Sequence, residues 1–149
     1  MLKPMPKHYL FEGVGHKAFP SASTSQAAVT AALEARKELG GGVETIERIE
    51  MTMADSQDVR WQLAERDRRY PSNQETADHS FHFLVAVALI DGELSFRQYA
   101  NARWTDPKVT GLMDKITIAP DKAWLERQTS NFPTGIKVFL RDGREIAHD

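Results

Sequence analysis

The pattern of residues predicts an α+β domain: an antiparallel sheet backed by helices on one face. Three observations carry that expectation. Ile49, Met51 and Met53 alternate with Glu50 and Thr52, which is the period of a half-buried strand. Phe81 to Ile90 is apolar at every position except His82, and the three alanines of Glu75–Gly92 with the closing Asp91-Gly92 favour a buried helix over a strand. The end of the chain then turns to short strand-like runs, Lys115–Ile118, Ile136–Leu140 and Arg144–His148. The last two are joined by Asp142-Gly143, a strong hairpin signal.

In chain order, residues 1–15 hold prolines and Gly13-Val14-Gly15 without a period, and are expected to form an irregular arm pinned by Tyr9, Leu10 and Phe11. Residues 16–149 form the domain. Ser23 and Gln26 have capping-box spacing ahead of an alanine-rich helix over Gln26–Leu39. Gly40-Gly41-Gly42 ends that helix, because glycine takes the left-handed terminal conformation at no steric cost. The strand over Val43–Met53 follows. Ala54 to Tyr70 is polar, with a short helix around Val59, Trp61 and Leu63, and Pro71-Ser72-Asn73 is a turn. One central helix runs from about Glu75 to Gly92, with Thr76 or Asp78 at its start. A helix apolar on every side must be covered on every side. A short helix is expected from Ser95 to Arg103. Asp106-Pro107 is an N-cap and first-position pair for another, with Val109, Leu112 and Met113 inward.

Composition narrows the function. The chain has 149 residues, a net charge of -2 and no cysteine. A nucleic-acid protein is usually markedly basic, so that class is not expected. Thiol chemistry and disulfides are excluded. Met1 to Lys7 lacks the apolar segment of a secretory signal, and no run is long enough to span a membrane, so the expected location is the cytoplasm.

Few motifs carry chemistry by themselves. Lys17, beside His16, reads as a general base or an anion contact, or as a solvated charge before a turn. His79 and His82 stand three apart beside Asp78; on one helix face they would make two ligands of a metal site. The same spacing occurs by chance, and no third ligand stands at a recognised interval, so no metal and no cofactor are expected. Ser80 lacks the glycines of a nucleophile elbow. The arginines at 60, 66, 68 and 69 alternate with acids and read as a solvated face that is also able to clamp carboxylates.

An ordered series of segments goes further. Lys17-Ala18-Phe19-Pro20-Ser21, Thr24 to Ala28, Tyr70-Pro71-Ser72-Asn73, Thr76-Ala77-Asp78-His79-Ser80 leading into Leu84 to Gly92, and Arg103 to Val109 with Leu112-Met113 follow one another. Together they resemble the C-terminal domain of the MmgE/PrpD family, which includes 2-methylcitrate dehydratase, cis-aconitate decarboxylase and iminodisuccinate epimerase. The resemblance implies a chorismate-mutase-like α+β domain. It implies a lyase or isomerase that removes a proton or carboxylate from a small di- or tricarboxylate without a required metal. In the family the active site lies between this domain and a larger all-helical one. The resemblance maps the lysine of that cleft to Lys17, and marks His16, Thr24, Asp78 and His79 as site lining. A tyrosine that many members carry near Phe83 has no hydroxyl here. The large helical domain has no counterpart in these 149 residues. The expectation is a fragment, half of a split enzyme, or a stand-alone descendant with an interaction role. Its partner would be a separate helical domain or a second copy in a dimer.

Overall fold

Strand β1 (Ile46–Ala54) is the axis of a four-stranded sheet of order β2-β1-β3-β4. The structure, a computed structural model, describes residues 15–127 and 132–149. The arm expected over 1–15, with its anchors Tyr9, Leu10 and Phe11, lies outside them apart from Gly15. β3 (Thr134–Leu140) pairs antiparallel with β1, and β4 (Glu145–His148) pairs antiparallel with β3. β2 (Ile116–Asp121) runs parallel to β1. The α+β class is as expected, but the sheet is mixed rather than wholly antiparallel. The reason is the connection: between β1 and β2 the chain makes a long helical crossover, which is what a parallel neighbour requires. The Asp142-Gly143 turn forms as the sequence predicts, with Gly143 at φ 88°.

One face of the sheet is apolar. Ile49 lies between Ile116 and Val138, and Met51 between Ile118 and Ile136, all in one core. Helix α1 (Gln26–Glu38) crosses this face over β3 and β4. Helix α5 (Phe81–Asp91) packs on α1, with α6 (Pro107–Met113) and the short α3 (Arg66–Arg69) against its other sides. Every residue of α5 from Phe81 to Leu89 is buried. The helix α7 (Lys122–Glu126) departs from the one-sided arrangement. Its Trp124 lies on Gly135, whose partner across the ladder is the outward-facing Thr52, so it covers part of the opposite face. A Cβ at Gly135 would stand 2.5 Å from the indole.

Local chemistry moves several boundaries. The expected single helix over 75–92 is two: α4 (Gln74–Asp78) and α5, broken at His79-Ser80. Ser80 is extended, and its Oγ accepts from the amide of Phe83 at 3.1 Å. A serine that satisfies a free amide starts a helix rather than continuing one. Neither Thr76 nor Asp78 is the N-cap. Asn73 caps α4, and Thr76 completes its capping box. Ahead of α1 the Ser23–Gln26 box does not form, because Ser23–Ser25 is a tight 3-10 turn and Gln26 turns its amide back to Phe19 and Ser21. The polar stretch 54–70 holds two helices, α2 (Gln57–Ala64), capped by Ser56, and α3. The helix expected from Ser95 starts there, but kinks at Ala100–Ala102 where Asn101 and Ala102 take positive φ. Gly92, at φ 72°, ends α5 as expected.

The two serines separate these capping assignments. Ser80→Ala is expected to cost about 1 kcal/mol in urea unfolding, the ordinary worth of an N-cap. Ser23→Ala should stay within about 0.5 kcal/mol. Equal losses would restore the capping box that the fold lacks.

Candidate active site

The polar residues of the apolar rod's N-terminal end face a loop, Lys17–Ala22, that is tied down at each step. Gln26 Oε1 accepts from the amide of Phe19 at 3.0 Å, and Gln26 Nε2 donates to Ser21 Oγ at 3.0 Å. Ser25 Oγ donates to the carbonyl of Ala22 at 2.7 Å. Tyr99 on the kinked helix donates its hydroxyl to the carbonyl of Pro20 at 2.7 Å. The amide of Ala22 donates to the carbonyl of Asp78 at 3.0 Å, which joins the loop to the end of α4. Lys17 stands at the start of this loop, exposed, with Nζ donating to the carbonyl of Ser21 at 3.0 Å.

Across from Lys17, α4 ends at His79. A cleft of about 540 Å³ lies between, walled by Lys17, Phe19, Gln74, Asp78, His79 and Phe96. A second hollow of about 360 Å³ adjoins it, lined by Lys17, Thr24, Asp58, Trp61, Arg68 and His79 among others. Lys17 and His79 belong to both. Four of the five site residues expected from sequence therefore converge: Lys17, Asp78 and His79 in the cleft, with Thr24 in its annex. His16 does not join them. It lines a separate hollow with Gln26, Glu34 and Trp124.

The imidazole of His79 is held in one sense. Its Nδ1 contacts the Asp78 carboxylate and lies 3.0 Å from the carbonyl of Glu75. Both partners only accept, so Nδ1 carries the proton, and a neutral ring then offers Nε2 as a lone pair. The backbone behind it is fixed by Gln62. The buried Gln62 accepts from the Thr24 hydroxyl and donates Nε2 to the carbonyl of His79 at 3.0 Å. Asp78 is felt further in: burial first, and its charge second, push the Tyr99 phenol well above its usual range.

Two residues missed by sequence reasoning complete the site. Gln62 sits in a polar stretch that gives no sign of its burial. Arg68 was one charge of a face expected to be solvated. Arg60, which pairs with Asp55 at 2.9 Å, fits that expectation, whereas Arg69 is half-buried and reaches Asp114 at 3.5 Å. The side chain of Arg68 is only 13% exposed and its guanidinium stacks 3.9 Å from the Trp61 ring centroid. The Trp61–Arg68 spacing crosses a helix break, so no periodic signal could have paired them. His79 and His82 do not share a helix face, because the Ser80 break lies between them. His82 is 8% exposed in the first turn of α5, and burial, helped by Arg69, pushes its pKa down to about 3.

Comparison with known proteins gives a consistent result. The family model of the MmgE/PrpD C-terminal domain matches residues 19–149. The chain is 26% identical over 141 residues to the mitochondrial 2-methylcitrate dehydratase of Yarrowia lipolytica, covering 91% of this chain and 27% of that protein. It is 26% identical over 144 residues to the cis-aconitate decarboxylase of Mus musculus, covering 89% and 27%. It is 28% identical over 118 residues to the 2-methylcitrate dehydratase of Salmonella typhimurium, covering 78% and 24%. The chain thus spans about a quarter of the length of these relatives.

Burial of His82 sets a pH dependence. The unfolded chain binds this proton near pH 6.5 and the folded one only near pH 3. Between those values the unfolded state holds more protons, so stability rises with pH. His82's contribution is complete above about pH 6.5 and is lost as pH falls toward 3, with a slope of at most about 1.4 kcal/mol per unit. Urea unfolding across this window should show a shallower slope for His82→Leu than for the wild type; parallel curves would show that His82 is not held neutral.

Proposed function

The chain belongs to the MmgE/PrpD family through its C-terminal domain, and we propose that it is the smaller domain of a lyase or isomerase acting on a small di- or tricarboxylate. The observation that carries this is the convergence of an exposed ammonium, Lys17, with an oriented imidazole, His79, on one cleft. In this reading Lys17 Nζ holds a substrate carboxylate, the role its hydrogen bond to a carbonyl already fits. His79 Nε2 takes the proton from the carbon next to that carboxylate, while Asp78 steadies the imidazolium that forms. For dehydration, the carbon–oxygen bond on the neighbouring carbon then breaks, the hydroxyl leaves as water with the proton that the His79 imidazolium gives back, and a double bond remains. For epimerisation the proton returns on the other face of the same carbon.

The cleft is open. Phe96 on its rim is 75% exposed, and Trp61 in the annex is 54% exposed. Exposed aromatics around a polar cleft favour a covering partner. We assign that role to a helical domain, on the same or another polypeptide, or to a second copy in a dimer, in the cytoplasm. Among the described residues no helix is long and apolar enough to cross a membrane. The same aromatics favour the alternative that the surface serves assembly without catalysis, as an interaction module descended from the family.

Titrating the isotope-labelled chain with 2-methylcitrate decides between these. Amide shifts should concentrate at Lys17, Asp78 and His79, and Lys17→Ala should weaken binding by about tenfold or more, the worth of a charged hydrogen bond. Binding that survives Lys17→Ala unchanged, or shifts confined to other faces, would rule the lyase reading out and leave assembly. Light scattering at micromolar concentration reads the assembly reading itself, for which a clean monomer counts against self-association.

A further inference from the structure

We propose that Arg68 is a second carboxylate anchor of the Lys17 cleft, so that the site selects acids with at least two carboxylates over monocarboxylates. The inference rests on the proposed carboxylate chemistry and adds the residue that sets its selectivity. Three observations point to it. First, Arg68 and Lys17 line the same hollow, with Asp58 the one carboxylate in its lining and His79 at its junction with the main cleft. Two cations thus meet in one hollow, one of them, Arg68, paired with Glu65 from outside the lining.

Second, the guanidinium is already positioned. Trp61 lies flat against it at 3.9 Å, and Nε donates to Glu65 at 3.3 Å. Stacking and one hydrogen bond fix the plane of the fork, so little freedom remains to be lost on binding. Third, the terminal nitrogens are unspent. Among the described residues the one hydrogen bond of the Arg68 side chain is that from Nε, and its Nη1 is covered without a partner, which leaves Nη2. Lys17 Nζ is a point charge on a flexible stem, whereas the held guanidinium of Arg68 keeps Nη2 free for a charge-assisted bond to a carboxylate. A substrate held by both needs two carboxylates: one at Lys17 beside the reacting carbon, the other in the annex.

The test measures the ratio of affinities rather than affinity alone. Binding of tricarballylate, succinate and butyrate (three, two and one carboxylates) is followed by amide shifts of the full chain. The wild type should prefer succinate to butyrate by about tenfold or more, from one added charge-assisted pair. Arg68→Gln should bring that ratio close to one and leave butyrate binding at Lys17 unchanged. Lys17→Ala should weaken all three. Should Arg68→Gln fail to fold, Trp61→Ala keeps the charge, frees the fork, and should narrow the same ratio. A ratio untouched by Arg68→Gln or Trp61→Ala, with Lys17→Ala still disruptive, overturns the role of Arg68 and leaves the carboxylate site standing. No shift near Lys17 with any of the three acids overturns both.

Discussion

The fold is governed by the need to bury α5 on every side. Phe81 to Leu89 leaves no polar face to offer water, and a helix of this kind is stable only where other elements enclose it. α1, α6 and α3 do so, and the sheet closes the layer behind α1. Polar side chains can then occupy only the ends of the rod. At its C-terminal end Asp91 is taken up by Arg103 at 2.6 Å. At its N-terminal end Asp78 and His79 face the Lys17 loop. The cleft stands where it does because that is where the apolar run stops.

The break at Ser80 turns this exclusion into a site. Had the helix continued from Glu75, His79 and His82 would have shared a face, and both would have been drawn toward the interior. Capping at Ser80 lets the chain change direction, so that one histidine is buried and held neutral while the other ends α4 at the surface. The orientation of His79 then depends on partners far apart in sequence. Its ring is set by Asp78 and Glu75, and its carbonyl by Gln62, which is in turn held by Thr24. The loop carrying Lys17 is fixed with equal thoroughness by Gln26, Ser25 and Tyr99. Small polar side chains thus hold two short segments at a defined distance without a regular element between them.

Legibility from sequence follows the range of the interaction concerned. Local signals read correctly. Asp106-Pro107 starts α6, Gly92 ends α5, Asp142-Gly143 turns the final hairpin, and Ile49, Met51 and Met53 face inward. Signals with two local outcomes read less well. Ser23 and Gln26 have the spacing of a capping box, but Gln26 finds better partners in Phe19 and Ser21, because the preceding 3-10 turn folds that loop back. Ser80 looked like one polar residue in a helical run, although its hydroxyl is a stronger cap than a helix interior tolerates.

Patterning and local chemistry in the chain by themselves determined the α+β class, the inward stripe of β1, the buried rod and the ordered segments that mark its family. These depend on neighbours within a few residues, where side-chain spacing and backbone preference act directly. Tertiary structure alone decided that β2 lies parallel to β1, that His16 stands apart from Lys17, and that Arg68 leaves the solvated face to stack on Trp61. The first is a contact between distant segments, set by the return of the chain after a long crossover; the second follows from the hollow that Trp124 builds beside His16, and the third from the break between α2 and α3. No periodicity within a segment encodes such a path.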